Sequence, residues 1–151
     1  MSIHDPSPFG SNIAKETIQA YLETDYHVGV PSMFTLKIGS TSAELAEMQQ
    51  TYDVDCSAFI SACNPFSRRL NEQENADRHA RLGTEIKNMG LRFIEGIGQH
   101  PDNEWPGEAS YLVFGLSLDD AIALGKRFEQ NALVWSSVDA CPQSMLVRTI
   151  A

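Results

Sequence analysis

An α+β fold is what this sequence predicts: a single domain with a mixed or antiparallel β-sheet of about five to six strands and about four helices packed on it. Three observations predict it. Strand-like and helix-like segments alternate along the chain, but two pairs of strand segments follow one another with only a loop between them, as hairpins do. The run Ser57–Cys63 is small and apolar throughout, the composition of a strand buried on both faces. The chain has 151 residues, 42% of them apolar and 21% charged, which suits one globular domain with its own core.

The elements follow in order. Pro6, Pro8 and Gly10 mark residues 1–10 as a flexible arm, leaving 11–151 for the domain. Ser11 or Asn12 is placed to cap a helix running to about Glu23, with Ala14, Ile18, Tyr21 and Leu22 on one face. Gly29 and Pro31 make 26–32 a connection, and Phe34–Ile38 alternates as a strand that stops at Gly39. Thr41 or Ser42 caps a second helix that buries Leu45, Met48 and Tyr52. The buried strand at Ser57–Cys63 follows, and it must turn at Asn64-Pro65, because the residue before a proline is pushed out of helical geometry.

Asn71 and Glu74 have capping-box spacing for a third helix, and Gly90 suits its left-handed stop. Asn75, His79, Leu82, Ile86 and Met89 share one face of it. Leu91–Ile94 reads as a strand, Gly96–Gly107 as a loop, and Ser110–Gly115 as the antiparallel partner strand. Ser117 caps a fourth helix, with Asp120 in the capping-box position and Ala121, Leu124, Gly125 and Phe128 facing inward. Ala132–Trp135 and Met145–Val147 close the sheet through a turn at 139–143.

Composition also excludes function classes. A formal net charge of −9 repels phosphate backbones, so no nucleic-acid partner is expected. The same charge disfavours anionic membrane surfaces, and the longest strongly apolar stretch, Tyr111–Leu116, is far too short for a span. Met1–Pro6 has neither a basic start nor an apolar run, so no signal peptide is expected. Cys56, Cys63 and Cys141 are odd in number and widely spaced, which fits reduced thiols and a cytoplasmic location. No cofactor and no metal are expected: Gly96-Ile97-Gly98 lacks the rest of a dinucleotide fingerprint, and the four histidines show no zinc spacing.

The sharpest polar signal is the loop Asn64–Arg69, between a buried strand and a polar-started helix. Ligands gather at such junctions, because backbone N–H groups and a helix N-terminus converge there. Asn64 and Ser67 offer hydrogen bonds, Arg68, Arg69 and Arg78 a grip on an anion, and Asn75 lies one turn into the next helix. Cys63 with His79 as base is a weaker thought, since a residue ending a buried strand is more often inert packing.

The run Phe59–Ser67, then Glu74-Asn75 and Leu82, resembles a bacterial family known as domain of unknown function, family 3293. Trp105–Ser110, Gly115, Arg127–Ala132 and an early Tyr21–Tyr26 fit the same pattern, so the resemblance covers roughly 20–147. One departure is Glu129, where the pattern has glycine. The resemblance implies a stand-alone cytosolic bacterial protein and no particular reaction. Its polar positions fall on Asn64, Ser67, Asn75, Glu108, Ser110 and Gln130. Glu108 is the acid among them and the one candidate general base.

Two functions follow as expectations. One is a small polar or anionic ligand bound at Asn64, Ser67, Arg68, Asn75, Arg78, Glu108 and Gln130. The alternative is a non-catalytic protein-interaction module in which these residues are structural; a protein partner or a homo-oligomer stays open.

Overall fold

A computed structural model describes residues 12–102 and 106–150, so the expected flexible arm at 1–10 and Trp105 lie outside the described residues. The chain runs β1 (Asn12–Ile13), α1 (Lys15–Glu23), β2 (Asp25–Val28), β3 (Phe34–Leu36), α2 (Ala43–Thr51) and β4 (Ser57–Ser61). A 3₁₀ turn (Pro65–Ser67) leads to α3 (Glu72–Asn88), β5 (Arg92–Gln99), β6 (Glu108–Phe114), α4 (Leu118–Arg127), β7 (Ala132–Ser136), β8 (Gln143–Leu146) and β9 (Thr149–Ile150). Seven strands form one sheet in the order β3-β2-β5-β6-β4-β7-β8. Every pairing within it is antiparallel. The α+β class holds, and the strand count is seven rather than five to six. A separate parallel pair joins β1 to β9.

The extra strand is β2. Its alternation is real, with Tyr26 and Val28 buried between the half-buried Asp25 and His27, but Gly29 and Pro31 just beyond it read as a connection. The second correction is the end of β5, which continues as strand through Gly96 and Gly98 where the glycines suggested a loop. Gly96 serves close packing instead of a turn. A Cβ on Gly96 would meet the His27 carbonyl oxygen at 2.4 Å and the Phe59 ring at 2.9 Å. The third is the start of α1: its cap is Ala14, with no side-chain cap, and Asn12 belongs to β1.

Strand β4 is buried on both faces, as its composition required. Ala58 and Ile60 join one core with Leu82 and Ile86 of α3, Ala121 and Leu124 of α4, and Val113 of β6. Phe59 points the other way, into a second core with Tyr26, Val28, Leu45 of α2, Leu112 and Phe114. So α3 and α4 cover one face of the sheet and α2 part of the other. Helix caps follow the sequence closely. Asn71 and Glu74 form a reciprocal capping box, Ser42 accepts from the Leu45 N–H, and Ser117 accepts from the Asp120 N–H. Met89, expected on the inner face of α3, is the C-cap and 39% exposed.

The end of α4 explains the departure at Glu129. Gln130 N–H bonds to Gly125 O and Glu129 N–H to Lys126 O, the pair of bonds that defines a Schellman stop. Glu129 then sits at the left-handed position, φ 59°, where glycine costs nothing and an L-residue costs roughly 1–2 kcal/mol. Its carboxylate returns little, because the contact to Arg78 is 3.4 Å long and 45% exposed on the Glu129 side. Glu129→Gly is therefore expected to raise stability by about 1 kcal/mol. Chemical denaturation should show a higher midpoint at unchanged slope; an unchanged or lower midpoint would contradict it.

Candidate functional site

On the sheet face that α2 only partly covers, α1 roofs a hollow of about 360 Å³. Its construction can be read from strand register. Tyr26, Gly98 and Glu108 are consecutive neighbours across β2, β5 and β6. Ser61 and Ser110 are neighbours across β4 and β6. Gly98 has no side chain, so the floor between Tyr26 and Glu108 stays open. Phe59 stands beside Tyr26, edge to face at 5.3 Å between centroids, and Leu133 and Val134 of β7 form the far wall. The inward face of α1 presents Glu16, Thr17, Ala20 and Tyr21 to the hollow, and its C-cap Thr24 joins them. No residue of this helix is buried.

The polar rim is organised by Asn64. Strand β4 ends with the Cys63 N–H bonded to Ser61 Oγ at 3.0 Å, and the chain then turns through three left-handed non-glycine residues, Asn64, Phe66 and Ser67. Such a turn persists only when surrounding bonds over-determine it. Asn64 Oδ1 accepts from the Leu70 N–H and from Asn75 Nδ2, both at 2.9 Å. Its own N–H donates to Asn75 Oδ1 at 2.9 Å, and its Nδ2 donates to Glu108 Oε2 at 2.7 Å. Phe66 N–H reaches Glu129 O at 2.7 Å, tying the turn to the Schellman stop of α4. That stop aims Gln130 inward, where its Nε2 donates to the Cys63 and Phe128 carbonyls, each at 3.1 Å. Ser67 Oγ accepts from Asn131 Nδ2 at 2.9 Å and lies 3.1 Å from the Tyr21 hydroxyl.

The structure thus brings Asn64, Ser67, Glu108, Ser110 and Gln130 to one hollow. Asn75 stands behind them, holding Asn64. The arginines are placed differently. Neither Arg68 nor Arg78 lines the hollow. Arg78 Nε donates to Ala62 O at 2.6 Å, its Nη2 to Phe128 O, and its Nη1 faces Glu129. The side chain clamps β4 to the end of α4. Arg68 and Arg69 are exposed on the outside of the turn.

Other expectations separate in space. His79 lies on the opposite face of the sheet, stacked on Tyr111 at 4.1 Å, with Nε2 3.1 Å from Glu95, and pairs with no thiol. Burial pushes the Cys63 thiol up, which keeps it protonated and poorly nucleophilic. Among the described residues no group of three His, Cys, Asp or Glu could hold a metal ion, and no helix is long and apolar enough to cross a membrane. Two contributors escaped sequence reasoning, Asn131 and Tyr21. Both lie inside runs that carry the family resemblance, so the signal was present but unattributed.

Residues 60–133, the span holding Asn64, Ser67, Asn75, Arg78, Glu108 and Gln130, match the family model described as Protein of unknown function (DUF3293). Over that span, just under half of the chain, the protein is similar to this family; the early Tyr21–Tyr26 run falls outside the match. No curated protein and no solved structure matches the chain.

Burial around the hollow sets a pH limit. It raises the Tyr21, Tyr26 and Cys63 ionisations above their ordinary values of 10.0, 10.0 and 9.0. The unfolded chain releases these protons first, so stability is full below about pH 9 and declines as pH rises through 9 and 10. A melting temperature flat between pH 7 and 8 and falling steadily from pH 9 to 10.5 is the expected curve. Tyr26→Phe should make the fall shallower, and an identical slope in that variant would contradict the assignment.

Proposed function

We propose that the hollow under α1 binds a small polar molecule that is not an anion. The observation that carries this reading is the roof. A nine-residue helix is marginal by itself and is normally held by an apolar face packed on a core. Here the inward face of α1 covers about 360 Å³ of space, within the range of ligand pockets, ringed by converging amides, hydroxyls and a carboxylate on an apolar floor. The anionic ligand expected from Arg68 and Arg78 lacks its support, since neither side chain reaches the hollow. Glu108 remains the candidate general base; its described bond comes from an amide rather than from a nucleophile. The three cysteines are free, which favours a reducing compartment such as the cytosol.

The test uses Gly98. The nearest atoms to a Cβ there are in the Tyr26 and Phe59 rings, at 3.6 Å and beyond, an ordinary contact. Gly98→Val should fold at least as well, because a β-branched residue suits a strand, while its methyl groups fill the floor. Native mass spectrometry of the purified protein should release a small molecule from the wild type and none from Gly98→Val. Equal retention by both proteins would place the bound molecule elsewhere. No retained molecule, and no change in melting temperature across a panel of amines, sugars and nucleosides, would favour the second reading. That reading is a protein-interaction module, and it draws on Val30 and Met33, 67% and 65% exposed beside the edge strand β3.

A further inference from the structure

We infer that the molecule taken by the hollow carries a protonated amine or guanidinium, set between the Glu108 carboxylate and the Gln130 amide oxygen. This rests on the binding reading above and goes beyond it by fixing the ligand's charge and polarity.

The first support is the charge of the wall. Among the described residues the lining includes the acids Glu16 and Glu108 and no Lys or Arg. The described lining also holds the imidazole of His100, whose Nδ1 accepts from the Asp102 N–H at 3.0 Å. Its Nε2 faces Glu23 Oε1 at 2.9 Å, so both ring nitrogens are engaged by neighbouring groups of the protein. Two guanidinium groups lie close behind the wall without lining it. Arg78 is turned to the Ala62 and Phe128 carbonyls. Arg148 donates to Asn131 Oδ1 at 2.7 Å and stacks over Phe66.

Gln130 supplies the second support. It is 7% exposed and lines the hollow. Two carbonyls, of Cys63 and Phe128, face one end of its amide. That end must therefore be the NH₂ group, and the orientation of the amide follows from its partners. The oxygen is at the other end and accepts no bond from any described residue. Gln130 lines the hollow, so a donor held there can reach this oxygen.

Glu108 stands close to Gln130 in the fold. Its Oε2 takes Asn64 Nδ2, and Gln130 holds the carbonyl of the preceding residue, Cys63. A cation between them would meet one full and one partial negative charge, and charge-assisted bonds of this kind are stronger than neutral ones. The net charge of −9 adds a long-range pull of the same sign. Tyr26, Phe59 and Val134 call for a short apolar or aromatic body behind the charged end.

Four probes test this. Tyramine and agmatine carry the cation, tyrosol replaces the amine of tyramine with an alcohol, and 4-hydroxyphenylacetate replaces it with a carboxylate. Binding is followed by the amide NMR shifts of Gly98, Ser110 and Ala132. Tyramine or agmatine should move these three signals, bind about tenfold more tightly than tyrosol, and weaken as salt is added. The carboxylate should leave the signals in place. Glu108→Gln, which keeps an acceptor for Asn64 Nδ2, should bring tyramine or agmatine down to the affinity of tyrosol. Tyrosol or 4-hydroxyphenylacetate binding as tightly as the cations at the same amides would overturn the cation and leave the hollow a binding site. No shift with any of the four would overturn both.

Discussion

Asn64→Ala is expected to lower the melting temperature by roughly 6–12 °C. Its Oδ1 accepts two hydrogen bonds and its Nδ2 donates one, and the residue is 7% exposed. Truncation leaves the Leu70 N–H, Asn75 Nδ2 and Glu108 each short of a partner, at about 1 kcal/mol apiece. Alanine also tolerates the left-handed backbone at φ 50° less well than asparagine does. The sum is about 3 kcal/mol, and a domain of this size loses roughly 2–4 °C per kcal/mol. Asn64→Gly separates the two causes: it loses the same bonds but accepts the backbone, so it should sit between Ala and wild type. If Ala and Gly lose equally, the backbone contributes nothing. If neither loses stability, the residue does not hold the turn.

Gly96→Ala is the second large effect, about 3 kcal/mol, in a strand where glycine looks dispensable. The new Cβ would stand 2.4 Å from the His27 carbonyl oxygen. That oxygen belongs to the backbone of the neighbouring strand and cannot rotate away, so β2 must separate from β5 or the strand must bend. Overpacking of this kind costs roughly 1–3 kcal/mol when side chains absorb it and more when a backbone must move. Gly98→Ala, two residues along and on the same sheet face, is the internal control, because its nearest neighbour is a ring carbon at 3.6 Å. Urea denaturation of the pair should show a large loss at 96 and nearly none at 98. Similar losses at both positions would mean that the strand rejects any side chain there, for a reason other than contact with His27.

These two positions show how unevenly the site was legible. Asn64, Ser67 and Asn75 stood out in the sequence because polar residues at a strand end and a helix start need partners, Glu108 and Gln130 came from the family resemblance, and the structure gives each of them a partner. The arginines were misleading for a physical reason. A guanidinium has five donors, and buried carbonyls at the ends of β4 and α4 attract it as strongly as a ligand does, so Arg78 became a clamp. Gly96 and Gly98 were misread because glycine signals a turn and a close approach alike. Only the identity of the neighbouring strand separates the two.

What the sequence alone determined is local. The capping box at Asn71 and Glu74, the stop at Gly90, the inner face of α4 and the two-faced burial of β4 all follow from contacts between near neighbours or from unbroken apolar character. The tertiary structure decided the pairing of β2 with β5, the hollow beneath α1 and the sign of charge on its wall. Those depend on which distant segments lie side by side, and no spacing along the chain encodes that directly. A strand's side chains carry meaning as a site only once the register sets Tyr26, Gly98 and Glu108 in one row.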